Sequence, residues 1–306
     1  MKMAQAYNLI LQHYLNPRVQ REIADYSAER WIAIHCDKTD DRGRKLLVRY
    51  SRKTRKPLKV KEPSDILRLM ETFQRLMPRS IYATANLYGK LESEDDVAFI
   101  DNVIACTPTW DIDNELGAWE ATREAAKEIV KFLAENGVSE SVYVKFTGRG
   151  AHVQVHPYAF SPEVRAKHNP LDLAYALVEY IRGKLQPRFI ELAVRLKAES
   201  LRVDNEMDFQ RLFVCPLSVH KQLNMVSVCL DPERLDDFTP EEARLGRVKR
   251  HWEGWRNHRV GEADALAVKA YNLVGGYPGT YGKPRRRKHP PLEKQIWSFL
   301  QKVEED

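Results

Sequence analysis

Apolar and polar positions along the chain alternate with two different periods, which predict an interleaved series of helices and strands. Apolar residues that recur every three or four positions predict helices at 5–27 (broken at Asn16 and Pro17), 63–76, 115–136, 171–200 (interrupted at Pro187) and 292–303. Short apolar runs bounded by turn residues predict strands at 31–35, 46–50, 81–87, 109–114, 141–146, 151–156, 211–215 and 225–229. Hairpins and helices are mixed without a regular βαβ alternation. The pattern therefore predicts an α+β fold whose mixed β-sheets are flanked by helices.

The predicted strand at 109–114 carries two acidic residues. Asp111 and Asp113 are spaced i, i+2, so their side chains leave one face of the strand while the apolar positions leave the other. Two carboxylates held this close repel each other unless a cation lies between them. Mg²⁺ and Mn²⁺ prefer oxygen ligands of this kind. The pair is therefore a candidate metal site, with two solvated acids at a strand end as the alternative. Asn114 is expected to cap the helix that follows.

A glycine-containing turn joins two later strands. Residues 147–152 read Thr-Gly-Arg-Gly-Ala-His. Glycines let backbone amides approach an anion, and Thr147, Arg149 and His152 can contact phosphate oxygens through their side chains. Strand alternation turns His152 away from the apolar positions beside it, so a buried core histidine is not expected there. Taken alone, the sequence is also typical of an ordinary hairpin turn.

Two further segments carry candidate functional residues. Asp204 places a third acid on a strand-like segment, and a third carboxylate would complete a two-metal site. Ser218 and His220 follow in the loop sequence Pro-Leu-Ser-Val-His-Lys. A Ser/His pair could also indicate a hydrolase. Against that, the chain lacks the Gly-x-Ser-x-Gly nucleophile motif, and Ser218 and His220 are too close in sequence to serve as nucleophile and base.

Composition narrows the class of protein. The chain has 306 residues, a mean hydropathy of −0.53, no apolar run long enough to span a membrane and no signal sequence at its start, so an intracellular protein is expected. The four cysteines are scattered without a Cys-x-x-Cys pair, which argues against disulfides and against a zinc site. The net charge is +6, and much of the basic excess lies in 42–61 and 283–288. Such patches favour nucleic acid as the partner, with a solvated basic face on an ordinary enzyme as the alternative.

The order of these motifs resembles the archaeo-eukaryotic primase superfamily, and within it the small, catalytic subunit of DNA primase. That order is an i, i+2 aspartate pair, hydroxyl-Gly-Arg-Gly-x-His, a third aspartate, and Pro-x-Ser-x-His. The resemblance covers about residues 5–240. It implies a primase-polymerase catalytic core at 1–240, and it leaves 241–306 as a helical extension with a basic linker and a terminal helix.

The resemblance implies template-directed nucleotidyl transfer by a two-metal mechanism, which makes or extends short RNA or DNA strands. The catalytic and metal-binding residues would be Asp111, Asp113 and Asp204, with Asp208 as the alternative third ligand, and the cofactors would be two Mg²⁺ or Mn²⁺ ions. The phosphates of an NTP or dNTP substrate would be bound by Thr147, Arg149, His152, Ser218, His220 and Arg79. The partners would be single-stranded or primer-template DNA and, beyond the substrates, a primase large subunit or another replication or repair protein.

Three features depart from the pattern of that family. Val214 stands six positions before the motif histidine, where a basic residue is frequent, Asn114 and Glu115 follow the acid pair in place of Ala-Asp, and the zinc-binding module is missing. The departures keep open an end-joining repair polymerase or a plasmid-type polymerase of the same superfamily. From other classes, a non-catalytic nucleic-acid-binding protein is the alternative, and a metal-dependent nuclease accounts less well for the phosphate-binding motifs.

Overall fold

Helices and strands are mixed along residues 2–279, the part of the chain that the computed structural model describes. The helices are α1 (Lys2–Tyr14), α2 (Pro17–Ser27), α3 (Asp65–Thr72), α4 (Trp119–Glu135), α5 (Pro162–Lys167), α6 (Pro170–Arg195) and α7 (Asp264–Val274). The strands are β1 (Ile32–Thr39), β2 (Lys45–Val48), β3 (Pro78–Thr84), β4 (Asn86–Tyr88), β5 (Val103–Cys106), β6 (Thr109–Asp113), β7 (Val142–Phe146), β8 (Ala151–Val155), β9 (Arg202–Asp204), β10 (Leu212–Val214) and β11 (Val228–Leu230).

The strands form two main sheets. One has four strands in the order β10-β3-β1-β2, the other has five in the order β11-β7-β8-β6-β9, and β4 pairs separately with β5. Each of these pairings is antiparallel within the described residues. The predicted α+β class with flanking helices is confirmed, and the mixed sheets that were expected are antiparallel here.

The two faces of the five-stranded sheet have different neighbours. Trp110 and Ile112 are fully buried on one face, where the indole N–H of Trp110 donates to the Val178 carbonyl of α6 at 3.1 Å. The opposite face carries polar residues and is covered by α2 and β10. There the Lys145 ammonium lies 3.3 Å from the hydroxyl of Tyr26, a residue of α2. This second, polar face lies between the two sheets and positions the candidate site.

Several boundaries agree with the sequence pattern. The break before α2 is confirmed, because the side chain of Asn16 caps that helix by accepting from the Arg18 N–H at 2.9 Å. The β1–β2 and β7–β8 hairpins are also confirmed. Gly137 follows the end of α4 with a φ of +82°, a conformation that favours glycine.

Two helix predictions are wrong in detail. Asn114 does not cap α4, which begins five residues later at Trp119, because the Asn114 amide instead donates to the Ala118 carbonyl at 3.2 Å and fixes the intervening turn. The helix α6 continues through Pro187 rather than stopping there. A proline inside a helix costs roughly 3 kcal/mol, and the long packed interface of α6 with its neighbours outweighs that cost.

The segment from residue 232 to residue 279 contains little regular α-helix. It consists of short 3₁₀ turns at Pro232–Asp237, Pro240–Ala243 and Glu253–Arg256, followed by α7. Trp255 is buried, and its indole N–H donates to the Glu22 carboxylate at 2.8 Å. The division at residue 240 stays a prediction, and the predicted basic linker at 283–288 and terminal helix at 292–303 lie outside the described residues. Between residues 2 and 279, no helix is both long and apolar enough to cross a membrane.

Candidate active site

A row of polar side chains crosses the five-stranded sheet with Asp111 near its centre. The register pairs Asp111 with His152 of β8 on one side and with Asp204 of β9 on the other. His152 is paired in turn with Lys145 of β7. Residues paired directly across antiparallel strands project from the same face, and Asp113 shares that face because it lies two positions along β6. The sheet therefore brings the three predicted metal ligands, Asp111, Asp113 and Asp204, to one face.

Asp111 is held by two polar partners. Its Oδ1 lies 3.3 Å from the Nε2 of His152, and its Oδ2 accepts from the Arg211 guanidinium at 3.3 Å. Burial alone would raise the pKa of Asp111, but the contact with His152 and the charge of Arg211 outweigh it and hold the pKa below its usual value. Burial lowers the pKa of His152, whereas a guanidinium keeps its proton in a protein. Arg211 is therefore the cation at Asp111.

His152 is buried, contrary to the expectation from strand alternation. Its side chain is only 7% exposed, and its ring packs edge-on against Phe213 of β10 at 4.8 Å. The alternation itself is as predicted, but the second sheet covers the polar face, which a single strand pattern does not reveal. The Nδ1 of His152 is buried and has no hydrogen-bond partner among the described residues. His152 thus reaches Asp111 from within the polar layer between the sheets.

The two candidates for the third acid lie in different places. Asp204 stands directly opposite Asp111 in the β6–β9 pairing. Asp208 lies in the loop before β10, where its carboxylate accepts from the Gln210 N–H at 2.7 Å. Asp208 is thus used to shape its own loop. The register favours Asp204 as the partner of Asp111 and Asp113.

The β7–β8 turn connects Asp111, Asp113 and Asp204, here called the acid row, with the Ser-x-His loop. Gly148 has a φ of +126°, and a Cβ built on it would lie 2.6 Å from the Cδ2 of His220. A Cβ on Gly150 would lie 2.1 Å from the carbonyl oxygen of Ile112 in β6. Neither contact leaves room for a side chain, so glycine is required at both positions. The turn is therefore packed against β6 on one side and against His220 on the other.

His220 presents a hydrogen-bond donor at this turn. Its Nδ1 accepts from the backbone N–H groups of Gln222 and Leu223 at 3.1 Å and 2.9 Å, so the proton of the neutral ring lies on Nε2. Burial, followed by the charges of Lys221 and Arg149, lowers the pKa of His220 to about 4. At pH 7 the ring is a neutral donor in a cationic environment, which suits a phosphate oxygen.

Arg79 and Ser218 have structural contacts that argue against their predicted role in binding phosphate. The Arg79 guanidinium is buried and donates to the carbonyls of His220 and Leu223 at 2.8 Å and 2.9 Å, and it also pairs with Asp37. The Ser218 hydroxyl is fully buried and accepts from the Ile81 N–H at 2.7 Å. Both side chains are thus bound to the backbone of the loop or of the neighbouring strand β3.

Thr147 and Arg149 belong to the β7–β8 turn. The Thr147 N–H donates to the Gly150 carbonyl at 3.0 Å and closes the turn, and its side chain is partly exposed. Arg149 is exposed, and its charge acts on the ring of His220. Lys221 is exposed as well, and its charge acts on both His220 and Asp111. These cations lie where a polyanion would meet the acid row.

Sequence reasoning missed three residues of the site. Arg211 contacts Asp111 and also forms an ion pair with Glu206, and Lys145 is fully buried beside His152. Lysine is almost never fully buried, and the apolar pattern of β7 hides it. The one available signal for Lys145 was its place two residues before the turn motif. No sequence signal marks Arg211 or Glu206, because their role depends on the approach of β10 to β6.

The ligand types of the acid row suit a divalent ion, but its side chains are not close enough together to surround one. Asp111, Asp113 and Asp204 offer carboxylate oxygens from a shared face, the donor set that Mg²⁺ and Mn²⁺ prefer. Among residues 2–279, however, no three His, Cys, Asp or Glu side chains are close enough together to enclose a metal ion. Arg211 lies against one oxygen of Asp111, and Arg202 lies 3.9 Å from Asp113. The residues fit the ions, and guanidinium groups now neutralise part of their charge.

The fold built by these two sheets and their helices is similar to that of a polymerase domain solved with DNA. The structure is similar to the polymerase domain of ligase D from Mycobacterium tuberculosis, solved in complex with DNA, with a TM-score of 0.50 and 12% sequence identity over 87% of this chain and 88% of that one. It is also similar to the archaeo-eukaryotic primase domain of the primase-polymerase from cyanophage S-2L, with 14% identity over 75% of this chain and 96% of that one, but the TM-score of 0.33 is too low to support an inference. No protein-family model matches the chain, and no curated protein matches it either.

Proposed function

We propose that this chain is a DNA-directed nucleotidyltransferase of the primase-polymerase type. The observation that supports it most is the register of the five-stranded sheet, in which Asp111 stands opposite both Asp204 and His152. The hairpin that supplies His152 also packs its turn against His220. A carboxylate row and a cationic phosphate-binding turn are thus neighbours, as nucleotidyl transfer from a triphosphate requires.

In this proposal Asp111, Asp113 and Asp204 bind the divalent ions. When bound, the ions would lower the pKa of the attacking 3′-hydroxyl and offset the charge of the departing pyrophosphate. His152 contacts one oxygen of Asp111 and fixes the orientation of that carboxylate, leaving the other oxygen for exchange between Arg211 and an ion. An imidazole can do this without the permanent charge that a guanidinium at the same oxygen would bring near the ions.

The triphosphate is bound by the turn and the Ser-x-His loop. His220 donates from Nε2, while Arg149 and Lys221 supply positive charge from exposed positions. Thr147 adds a partly exposed hydroxyl. Arg79 and Ser218 act indirectly, by holding the backbone of the loop that carries His220.

DNA is bound by the basic side chains outside the site. Arg52 and Lys53 are exposed in a turn after β2 and have no ion-pair partner among the described residues. Such side chains contact backbone phosphates without reading sequence. Arg49, in contrast, stacks on Trp31 at 3.6 Å and donates to the Gln210 carbonyl, so it stabilises the fold.

The test is a strand-synthesis assay with the full chain. Labelled primer-template DNA and unprimed single-stranded DNA are each incubated with Mn²⁺ or Mg²⁺ and with either NTPs or dNTPs. Nucleotide-dependent lengthening supports the proposal, and comparison of the primed and unprimed substrates separates an extending polymerase from a primase. Shortening of the strand without nucleotides would indicate a nuclease. DNA binding with neither change would indicate a non-catalytic binding protein, and either result would overturn the proposal.

A further inference from the structure

Arg211 lies within the group of acids that forms the candidate metal site. Its guanidinium contacts Asp111 Oδ2 at 3.3 Å and pairs with Glu206, and it lies over the ring of Phe213 at 5.3 Å. Burial lowers the pKa of Arg211, and the negative charges of Asp111, Asp113 and Asp204 all act against that change. One side chain thus experiences the field of every proposed metal ligand.

The charge of the site requires a cation. Asp111, Asp113, Asp204 and Glu206 contribute four carboxylates, and close carboxylates destabilise one another unless a positive charge lies near them. Arg211 meets that need without an ion. A guanidinium cannot lose its proton in a protein, so Arg211 has to move if a divalent ion takes its place at Asp111.

Arg211 has the freedom to move. Its side chain is 29% exposed, and its Nε is buried without a hydrogen-bond partner among the described residues, so the group is not held at every donor. Arg79, in comparison, is 8% exposed and is held by carbonyls on two sides. A purely structural arginine would be expected to resemble Arg79.

We propose that Arg211 is the counterion of the acid row in the absence of metal. Its guanidinium contacts Oδ2 of Asp111 and is displaced from that oxygen when a divalent ion binds. The inference rests on the proposed function and adds to it an ordered loading step. Because the ion has to displace Arg211, it binds weakly alone. It binds better together with the nucleotide, whose phosphates give the displaced guanidinium a new partner.

The test measures the binding of Mn²⁺ alone, without nucleotide or DNA, from the loss of the free-ion signal in electron paramagnetic resonance. The wild-type protein is compared with Arg211→Met and with the matched control Arg202→Met. Arg202 also faces an acid of the site, but it lies 3.9 Å from Asp113 and is 69% exposed. We expect Mn²⁺ to bind about tenfold more tightly to Arg211→Met, since one close charge pair no longer competes, and less than twofold more tightly to Arg202→Met.

Three results are decisive. Equal Mn²⁺ affinity of the wild type and Arg211→Met overturns the inference and leaves the proposed metal site intact. Equal tightening in both arginine variants also overturns it, because any lost positive charge would then have the same effect. Absence of Mn²⁺ binding from the wild type and all variants contradicts the metal site of the proposed function itself. If Arg211→Met does not fold, Arg211→Gln, which also removes the charge but keeps a polar side chain, replaces it, and the same three results decide.

Discussion

Replacing Gly148 by alanine tests how the turn positions His220. The new Cβ would lie 2.6 Å from Cδ2, 2.9 Å from Cγ and 3.1 Å from Cβ of His220, and the first two distances are shorter than real Cβ atoms show. The ring cannot retreat easily, because its Nδ1 accepts from the N–H groups of Gln222 and Leu223. The φ of +126° adds strain, since such a conformation costs a non-glycine residue about 1–3 kcal/mol.

The matched control is Gly137→Ala, which has a φ of +82° and no atom within 4 Å of the new Cβ. Both variants carry backbone strain, but only Gly148→Ala carries the clash. We expect denaturant unfolding to show a loss of about 1 kcal/mol for the control and about 2–4 kcal/mol for Gly148→Ala. Displacement of His220 should also raise the KM for nucleotide about tenfold, which corresponds to one lost hydrogen bond to a charged group. Equal stability and an unchanged KM in Gly148→Ala would refute the role assigned to this contact.

Four other substitutions address three separate parts of the structure. The hydrogen bonds and charge from His251 and the contact with Arg256 outweigh burial and lower the pKa of Glu22 to about 2. The charged carboxylate therefore stabilises the fold fully above pH 4.5, and this stabilisation is lost as the pH falls from 4.5 toward 2. The excess in unfolding free energy of the wild type over Glu22→Gln should shrink by about 3 kcal/mol across that range. Ser218→Ala should lose about 1–3 kcal/mol of stability, because the buried Ile81 N–H loses its acceptor, while the nucleotide KM should rise less than in Gly148→Ala, since Ser218 acts on His220 only through the loop backbone. Asp204→Asn should weaken Mn²⁺ binding, measured by electron paramagnetic resonance, at least tenfold, and Asp208→Asn should weaken it less than twofold. The reverse order would make Asp208 the third ligand.

Local sequence patterns predicted the parts of the site that depend on one strand or one turn. The i, i+2 spacing of Asp111 and Asp113 fixes their common face, and the glycines around Arg149 specify a tight hairpin. Both properties follow from strand geometry and from backbone conformation within a few residues. The resemblance to primases then indicated Asp204, whose position opposite Asp111 depends on a strand pairing that no local pattern specifies.

The parts that were missed depend on contacts between distant segments. Ser218 and Arg79 look like phosphate ligands in sequence, yet their polar atoms are used by Ile81 and by the backbone of the loop. His152 is buried because the four-stranded sheet covers a face that alternation alone predicts to be open. Arg211 enters the site only because β10 brings it next to β6. Each is a tertiary effect, beyond the range of any periodicity.

Asp111→Asn tests whether the row formed by Asp111, Asp113 and Asp204 performs metal-dependent nucleotidyl transfer. The substitution keeps the size of the side chain and removes the charge that Arg211 now neutralises. Incorporation of nucleotides on primer-template DNA with Mn²⁺ should fall about a thousandfold, because a metal-binding carboxylate is lost, while DNA affinity changes less than twofold. Incorporation at the wild-type rate by a folded Asp111→Asn protein would contradict the account.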